Sequence, residues 1–202
     1  HVKGLPGEYE GLSRDKEREI WVEIAKQINE AAPEAEKRMC ASNHLRRLPA
    51  ALERYLPGLR DLPELAIPTL LKLEELGWTW DPVPTEILPG VVYSHGDEFM
   101  VTTRTQQSKT REVIKTRRAN VIYGHSHQAG LATTALGYGY DMETFWSLNV
   151  GHGMQVQNAE YVKSTSPDWS RGIGVVHWDG SAAHPELHLE INGKIRVNGR
   201  TY

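Results

Sequence analysis

Residues able to bind a metal follow three segments of this chain that have the pattern of buried strands. The three motifs are Asn43-His44, His95-Gly96 and Gly124-His125-Ser126-His127. Neutral imidazole is a good ligand for Zn, Fe, Ni and Mn, and an amide oxygen suits harder cations. Sites in open α/β sheets gather where strands end in loops at their carboxyl ends. We therefore expect these side chains to converge on one small pocket.

The spacing of His125 and His127 predicts a shared direction for their two rings. On an extended backbone, alternate side chains point to the same side. The pair could therefore bind one metal or flank two adjacent metals. A lone histidine after a strand is more often a surface or core residue. The prediction of a metal site therefore depends on the recurrence of all three motifs in this order.

In this order the motifs resemble those of the calcineurin-like metallophosphoesterase family. That family's pattern runs Asp-x-His, Gly-Asp-x-x-Asp, Gly-Asn-His-Asp/Glu, a His often followed by Gly, and Gly-His-Thr-His. Its last three motifs match Ser42 to Leu45, Ser94 to Asp97 and Gly124 to His127. The likeness is closest to bacterial and phage members of the family. It extends to Arg47, the Leu-Gly-Trp-Thr of residues 76–79, the Pro-Asp-Trp of residues 167–169 and the terminal Gly-Arg-Thr-Tyr.

The resemblance implies an enzyme that hydrolyses phosphate esters with two divalent metal ions, of Mn, Fe, Zn or Ni. It implies that Asn43, His95 and His125 ligate one metal and that His127 ligates the other. In the family, two such ions activate the attacking water and clamp the phosphoryl oxygens.

The resemblance also assigns residues that would act on the substrate. His44 would face the phosphate and protonate the leaving oxygen or stabilise developing charge. Arg47 and His152 are candidate substrate-binding residues. The substrate is a phosphomonoester or a phosphodiester, and nucleotides or nucleic acids remain open as its class.

Two departures from the family pattern bear on the metal centre and on His44. The aspartate motifs expected upstream of Asn43 are absent, and no upstream acid follows an apolar strand. The absent carboxylates include the one that bridges both metals in the family. We therefore expect an upstream segment or a companion chain to complete the two-metal centre. In addition, Leu45 replaces the usual acid after the histidine, which affects how His44 is oriented.

Two other functions stay open because of these departures. One is a catalytically inactive remnant or subunit that retains the fold for binding or assembly. The other is a single-metal binding module that uses Asn43, His95 and His125 alone.

The elements that must position these residues alternate between helices and strands. Apolar periodicity predicts helices over residues 12–32, 47–55, 69–76 and 103–118. Strands are predicted over residues 37–41, 78–80, 90–94, 120–123, 132–140, 144–150, 172–178, 186–191 and 194–197. We predict a single α/β domain over residues 1–202, with mixed β-sheets in a sandwich flanked by helices. The resemblance makes this a calcineurin-like phosphoesterase fold that is incomplete at its N-terminus.

Composition and charge narrow the class of protein. Of the 202 residues, 39% are hydrophobic and none of the apolar runs approaches membrane-spanning length, so we expect no membrane partner. The single cysteine excludes an intrachain disulfide framework and favours the cytoplasm. A net charge of −3 gives no global reason to expect nucleic-acid binding. The basic helix over residues 103–118 could grip a phosphate backbone or form a solvated outer face.

Overall fold

The computed structural model describes residues 14–99, 105–153 and 168–202. Sequence predictions for residues 12–13, 103–104 and 167 therefore lie outside the described residues. The chain divides into two compact units, one of residues 1–39 and 44–81 and the other of residues 40–43 and 82–202. The single domain over residues 1–202 stays a prediction.

Among the described residues, the first unit contains three α-helices and a strand pair, of which only Cys40 belongs to the second unit. These are α1 (Arg14–Ala31), β1 (Lys37–Cys40), α2 (Arg47–Tyr55), α3 (Ile67–Leu70) and β2 (Trp78–Asp81). Strand β1 pairs with β2 in a two-stranded sheet. Arg38 supports this pair by donating two hydrogen bonds, of 2.9 and 2.8 Å, to the carboxylate of Asp81, which is buried.

Helix α1 follows the predicted period, but its main apolar row is not buried. The indole Nε1 of Trp21 donates to the carbonyl oxygen of Leu71 at 2.9 Å. Ile20, Ile24 and Ile28, which are spaced one helical turn apart, keep 40–47% of their surface exposed. Apolar periodicity thus predicted this helix, and its row of three isoleucines is exposed.

The helix predicted over residues 69–76 is shorter than expected and begins earlier. Helix α3 ends at Leu70, and Lys72 adopts a left-handed backbone conformation with φ of 54°. A left-handed residue cannot continue a right-handed helix, so the segment continues as turns into β2. The N–H of Trp78 then donates to the Leu73 carbonyl oxygen at 2.8 Å.

The second unit contains a five-stranded mixed sheet of order β3-β4-β5-β7-β6. Its elements are β3 (Thr85–Leu88), β4 (Val91–Tyr93), β5 (Asn120–Tyr123), β6 (Gly130–Leu136) and β7 (Glu143–Asn149), with α4 (Gln106–Arg117) preceding β5. Strands β4, β5 and β7 run parallel to one another, while β3 and β6 are antiparallel edge strands. Strand β3 was not predicted from the sequence.

A second sheet of this unit is antiparallel, with strand order β11-β10-β9-β8. Its strands are β8 (Gly172–Trp178), β9 (Ala183–Ile191), β10 (Lys194–Val197) and β11 (Arg200–Thr201). Asn192 and Gly193 have φ of 52° and 77°, the backbone that a tight hairpin turn between β9 and β10 requires.

The core of the second unit lies on both faces of the five-stranded sheet. On one face, Val91, Trp146 and Leu148 pack with Val176 and Leu187 of the second sheet. On the other face, Val113 of α4 packs with Phe99 and with Val121 and Tyr123 of β5. The predicted mixed α/β class is confirmed. Among the described residues, no helix is long and apolar enough to span a bilayer.

Candidate metal centre

Three parallel strands of the five-stranded sheet end at one edge and deliver histidines there. Strands β4, β5 and β7 end at Tyr93, Tyr123 and Asn149. His95, His125 and His152 follow these ends within three residues. The sequence predicted a site at the carboxyl ends of strands, but it named β1 as the third strand. Because β1 pairs with β2, the third parallel strand at this edge is β7.

Asn43, His95 and His125, the metal triad hereafter, bring three potential ligand atoms together. The Nε2 atom of His95 lies 3.0 Å from Oδ1 of Asn43 and 3.1 Å from Nδ1 of His125. The two rings meet edge to face, with centroids 5.0 Å apart. His125 is exposed, and His95 and Asn43 are half-buried, so solvent reaches the point of convergence.

The separations between these atoms fit the ligand spacing of a divalent metal. With metal–ligand bonds of about 2.1 Å, neighbouring ligands lie about 3.0 Å apart in an octahedral site and about 3.4 Å apart in a tetrahedral site. The metal triad supplies one amide oxygen and two imidazole nitrogens, and all three are neutral ligands when the histidines are unprotonated. No three His, Cys, Asp or Glu side chains among the described residues form a metal-binding group.

The backbone around the metal triad ties two neighbouring strand ends together. The N–H of Gly124 donates to the carbonyl oxygen of His95 at 3.0 Å. Gly96 has φ of 107°, and a Cβ atom there would lie 2.8 Å from the ring of Tyr123. Glycine at position 96 therefore permits both the turn after β4 and its close approach to β5.

His125 and His127 do not lie on extended backbone, so the geometric reason given for their shared direction was wrong. Both residues are left-handed, with φ of 61° and 60°. Such conformations are strained for non-glycine residues and concentrate at functional sites. The two rings have different neighbours: His125 contacts His95, whereas His127 contacts His152 and Trp169.

His127, His152 and Trp169 form a second group, the ring triad hereafter. The ring of Trp169 meets that of His127 edge to face, with centroids 4.5 Å apart and planes at 80°. The ring of His152 lies 5.6 Å from that of His127 and 5.7 Å from that of Trp169. The structure therefore places His152 beside His127.

A buried asparagine links the loops that carry the two groups. Asn149, with no exposed surface, donates from Nδ2 to Oγ of Ser126 at 2.7 Å. Its Oδ1 atom accepts a hydrogen bond from the N–H of Gly151 at 3.0 Å. Because Ser126 lies between His125 and His127, this asparagine fixes the loop after β5 relative to the loop after β7.

His44 and Arg47 belong to the first unit, where both are exposed. The N–H of Arg47 donates to the carbonyl oxygen of His44 at 3.3 Å. His44 and Leu45 also line a largely apolar cavity of about 410 Å³. The other lining residues are Asp15, Glu17, Arg18, Trp21, Met39, Leu48, Leu65, Ile67, Leu70 and Leu71. The catalytic and phosphate-binding roles of His44 and Arg47 stay predictions.

Comparison with known proteins finds phage relatives. The chain is 30% identical over 162 residues to the Gene 54 protein of Mycobacterium phage L5, a match covering 79% of this chain and 64% of that protein. It is 28% identical to the Gene 54 protein of Mycobacterium phage D29, with the same coverage. The chain thus spans just under two thirds, 64%, of the length of these relatives. No family model and no solved structure matches it.

Four residues that shape the site were given no role from the sequence: Gln128, Asn149, Asp168 and Trp169. Gln128 bridges Lys109 and Asp168, and Trp169 belongs to the ring triad. The only sequence signal at Asp168 and Trp169 was the match of their Pro-Asp-Trp segment to the family. Asn149 carried a usable signal, because a polar residue at the end of an apolar strand that precedes Gly-His indicates a buried loop anchor.

Proposed function

We propose that this chain is part of a metal-dependent phosphoesterase with a dinuclear metal centre, which hydrolyses a phosphomonoester or phosphodiester. In this proposal the metal triad holds one divalent ion, and His127 is a ligand of the other. An upstream segment or companion chain contributes the carboxylates that the family pattern requires.

The observation that supports the proposal is the convergence of the metal triad. Its ligand atoms lie 3.0 and 3.1 Å apart, close to the spacing around a divalent ion. The three residues come from separate parts of the sequence, and they are the three that the family resemblance assigned to one metal. The left-handed backbone of His125 adds to this support, since strained backbone concentrates at functional sites.

The residues proposed to act on the substrate bind its phosphate or donate a proton to the leaving oxygen. A divalent ion bound at the metal triad supplies Lewis-acid stabilisation of the phosphoryl oxygens. His44, the next residue after Asn43, donates a proton from its imidazole to the leaving oxygen. Arg47 binds a phosphoryl oxygen through its guanidinium group, and His152 orients the phosphate from beside His127.

Two observations support a completing segment. The relatives are longer than the stretch that this chain matches, since the match covers 64% of each. The row of Ile20, Ile24 and Ile28 on α1 is exposed, and exposed apolar rows on helices mark surfaces that another segment covers.

A non-catalytic remnant or subunit is the second candidate, and the environment of Leu45 favours it. The family's acid at this position supports the catalytic histidine, whereas Leu45 here lines an apolar cavity. The residue after His44 is thus apolar in this chain, where the family pattern has an acid. In this alternative the chain retains the fold for binding or assembly, with no turnover.

The test compares this chain with a form that carries its natural upstream sequence. We expect manganese-dependent hydrolysis of bis-p-nitrophenyl phosphate by the longer form. His125→Ala should abolish this activity and weaken manganese binding by calorimetry. His177→Ala is the matched control, because His177 is an exposed histidine on β8, with 52% of its side chain accessible.

Equal activity in the wild type and in His125→Ala would refute the metal assignment. Manganese bound at the metal triad without hydrolysis of any phosphate ester by the longer form would favour the non-catalytic candidate.

A further inference from the structure

We infer that Trp169 is a stacking surface for an aromatic ring in the substrate, which makes a nucleoside phosphate the substrate class of this site. The inference rests on the proposed function, because it places the phosphate of that nucleotide at the neighbouring histidines. It adds a residue and a ligand class that the metal chemistry does not specify.

The geometry of Trp169 places an aromatic side chain at the edge of the candidate centre. Its ring lies 4.5 Å from the ring of His127 and 5.7 Å from that of His152. Trp169 is only half-buried, so part of its indole faces solvent beside these histidines. An indole offers a large, flat apolar face, on which bases stack with little dependence on sequence.

A polar relay holds the segment that carries Trp169. The Nζ atom of Lys109 on α4 donates to Oε1 of Gln128 at 3.0 Å. Nε2 of Gln128 in turn donates to Oδ2 of Asp168 at 3.1 Å. The relay connects α4, the residue after His127 and the residue before Trp169. Gln128 is therefore a positioning residue for the indole.

Backbone hydrogen bonds hold the same segment from its other side. The N–H of Ser170 donates to the carbonyl oxygen of His127 at 2.9 Å, and the N–H of His152 donates to the carbonyl oxygen of Ser170 at 3.1 Å. Trp169 is thus fixed between two anchored residues and yet remains partly exposed. A preorganised aromatic surface of this kind lowers the entropic cost of ligand binding.

The ligand class follows from the chemistry on either side of the indole. The histidines and the proposed metals would bind a phosphate, and the partly exposed indole would bind a planar ring. A nucleoside monophosphate carries both groups. An aliphatic phosphate carries only one, so the indole distinguishes between the two classes.

The experiment uses the form that carries its natural upstream sequence, loaded with manganese. It measures calorimetric affinities for adenosine 5′-monophosphate, ribose 5-phosphate, inorganic phosphate and adenosine. We expect adenosine 5′-monophosphate to bind about tenfold more tightly than ribose 5-phosphate, because base–aromatic stacking contributes a factor of about this size. Trp169→Leu should reduce this ratio to about one, while Trp169→Phe retains most of it. Trp178→Leu, at an exposed tryptophan of β8, is the matched control and should leave the ratio unchanged.

Two further variants test the hydrogen bonds that connect Lys109, Gln128 and Asp168. Gln128→Leu removes both hydrogen bonds and should lower the nucleotide preference. Asp168→Asn keeps an oxygen that accepts from Gln128 and should retain the preference.

An undiminished ratio in Trp169→Leu, or a wild-type ratio near one, overturns the inference. A different result would contradict the proposed function and support the stacking surface. In that result adenosine binds through Trp169, whereas no phosphate compound binds in a manganese-dependent manner. The reverse pattern, manganese-dependent phosphate binding without nucleotide preference, sinks the stacking surface alone.

Discussion

The Nε2 atom of His95 lies 3.1 Å from the Nδ1 atom of His125, although 30 residues separate the two in sequence. Each histidine follows the end of a parallel strand, and the two strands are neighbours in the sheet. Parallel pairing therefore brings the two ring nitrogens within the spacing of one coordination sphere. Asn43 adds its oxygen 3.0 Å from the same His95 nitrogen.

A first prediction concerns the charge of the metal triad. Its three ligands are neutral, so Asn43→Asp would add a negative charge next to the ion. We expect this variant to bind manganese about tenfold more tightly than the wild type, and Asn43→Ala to bind about tenfold more weakly. Calorimetric titration of metal-free protein measures both. Unchanged affinity in both variants would place the ion elsewhere.

A second prediction uses the left-handed backbone of His125, whose φ is 61°. A left-handed conformation costs roughly 1–2 kcal/mol for a residue with a Cβ atom and much less for glycine. His125→Gly should therefore have a free energy of unfolding about 1 kcal/mol above that of His125→Ala. Urea unfolding measures the difference. Both variants should lose metal binding. Equal stability of the two would show that the relief of backbone strain is no larger than the entropic cost of glycine, which contradicts this prediction.

A third prediction compares the effect on stability of alanine substitutions at the two glycines that flank His152. Gly151 has φ of 75°, and a Cβ atom there would lie 2.2 Å from the carbonyl oxygen of Ser170. Gly151→Ala should therefore lower stability by about 1–3 kcal/mol and displace the segment that carries Trp169. A Cβ atom at Gly153 would meet none of the described atoms within 4 Å, so Gly153→Ala is the control. Thermal unfolding measures both, and equal losses would contradict the structure around His152.

A fourth prediction concerns acid stability of the turn between β8 and β9. Hydrogen bonds from the Ala182 N–H, from His184 and from Ser181 lower the pKa of the Asp179 carboxyl well below its ordinary value of 3.8. A lowered pKa in the folded state stabilises the fold above pH 3.8, and this contribution declines as the pH falls below that value.

The matching experiment compares the wild type with Asp179→Ala in urea between pH 7 and pH 2. At pH 7 the wild type should unfold at a higher urea midpoint than Asp179→Ala. The difference between the two midpoints should narrow below about pH 4 as the Asp179 carboxyl becomes protonated. Asp61→Ala, at an exposed aspartate of the first unit, serves as the control. If the difference in urea midpoint stays constant with pH, the charge of the Asp179 carboxylate does not contribute to the stability of the fold.

Most strands of the second unit were predictable because their patterns are local. Residues 120–123, 172–178 and 194–197 were predicted with the observed bounds, since each is an apolar or alternating run ended by a turn signal. Strand β3, Thr85–Leu88, was missed because it has little apolar periodicity of its own, although it pairs with β4 in a local hairpin. Helix α3 was misjudged because apolar spacing does not reveal a left-handed residue such as Lys72.

The sequence by itself determined the chemistry available to this protein: an amide and several imidazoles that follow strand ends, with no carboxylate motif upstream of Asn43. Strand ends and ligand types are readable because both are local properties of the chain. Only the tertiary structure decided which residues meet. Parallel pairing of β4, β5 and β7 brought His95 to His125 and His152 to the side of His127. Trp169 and Gln128 joined the site through contacts between distant segments, which no local pattern encodes.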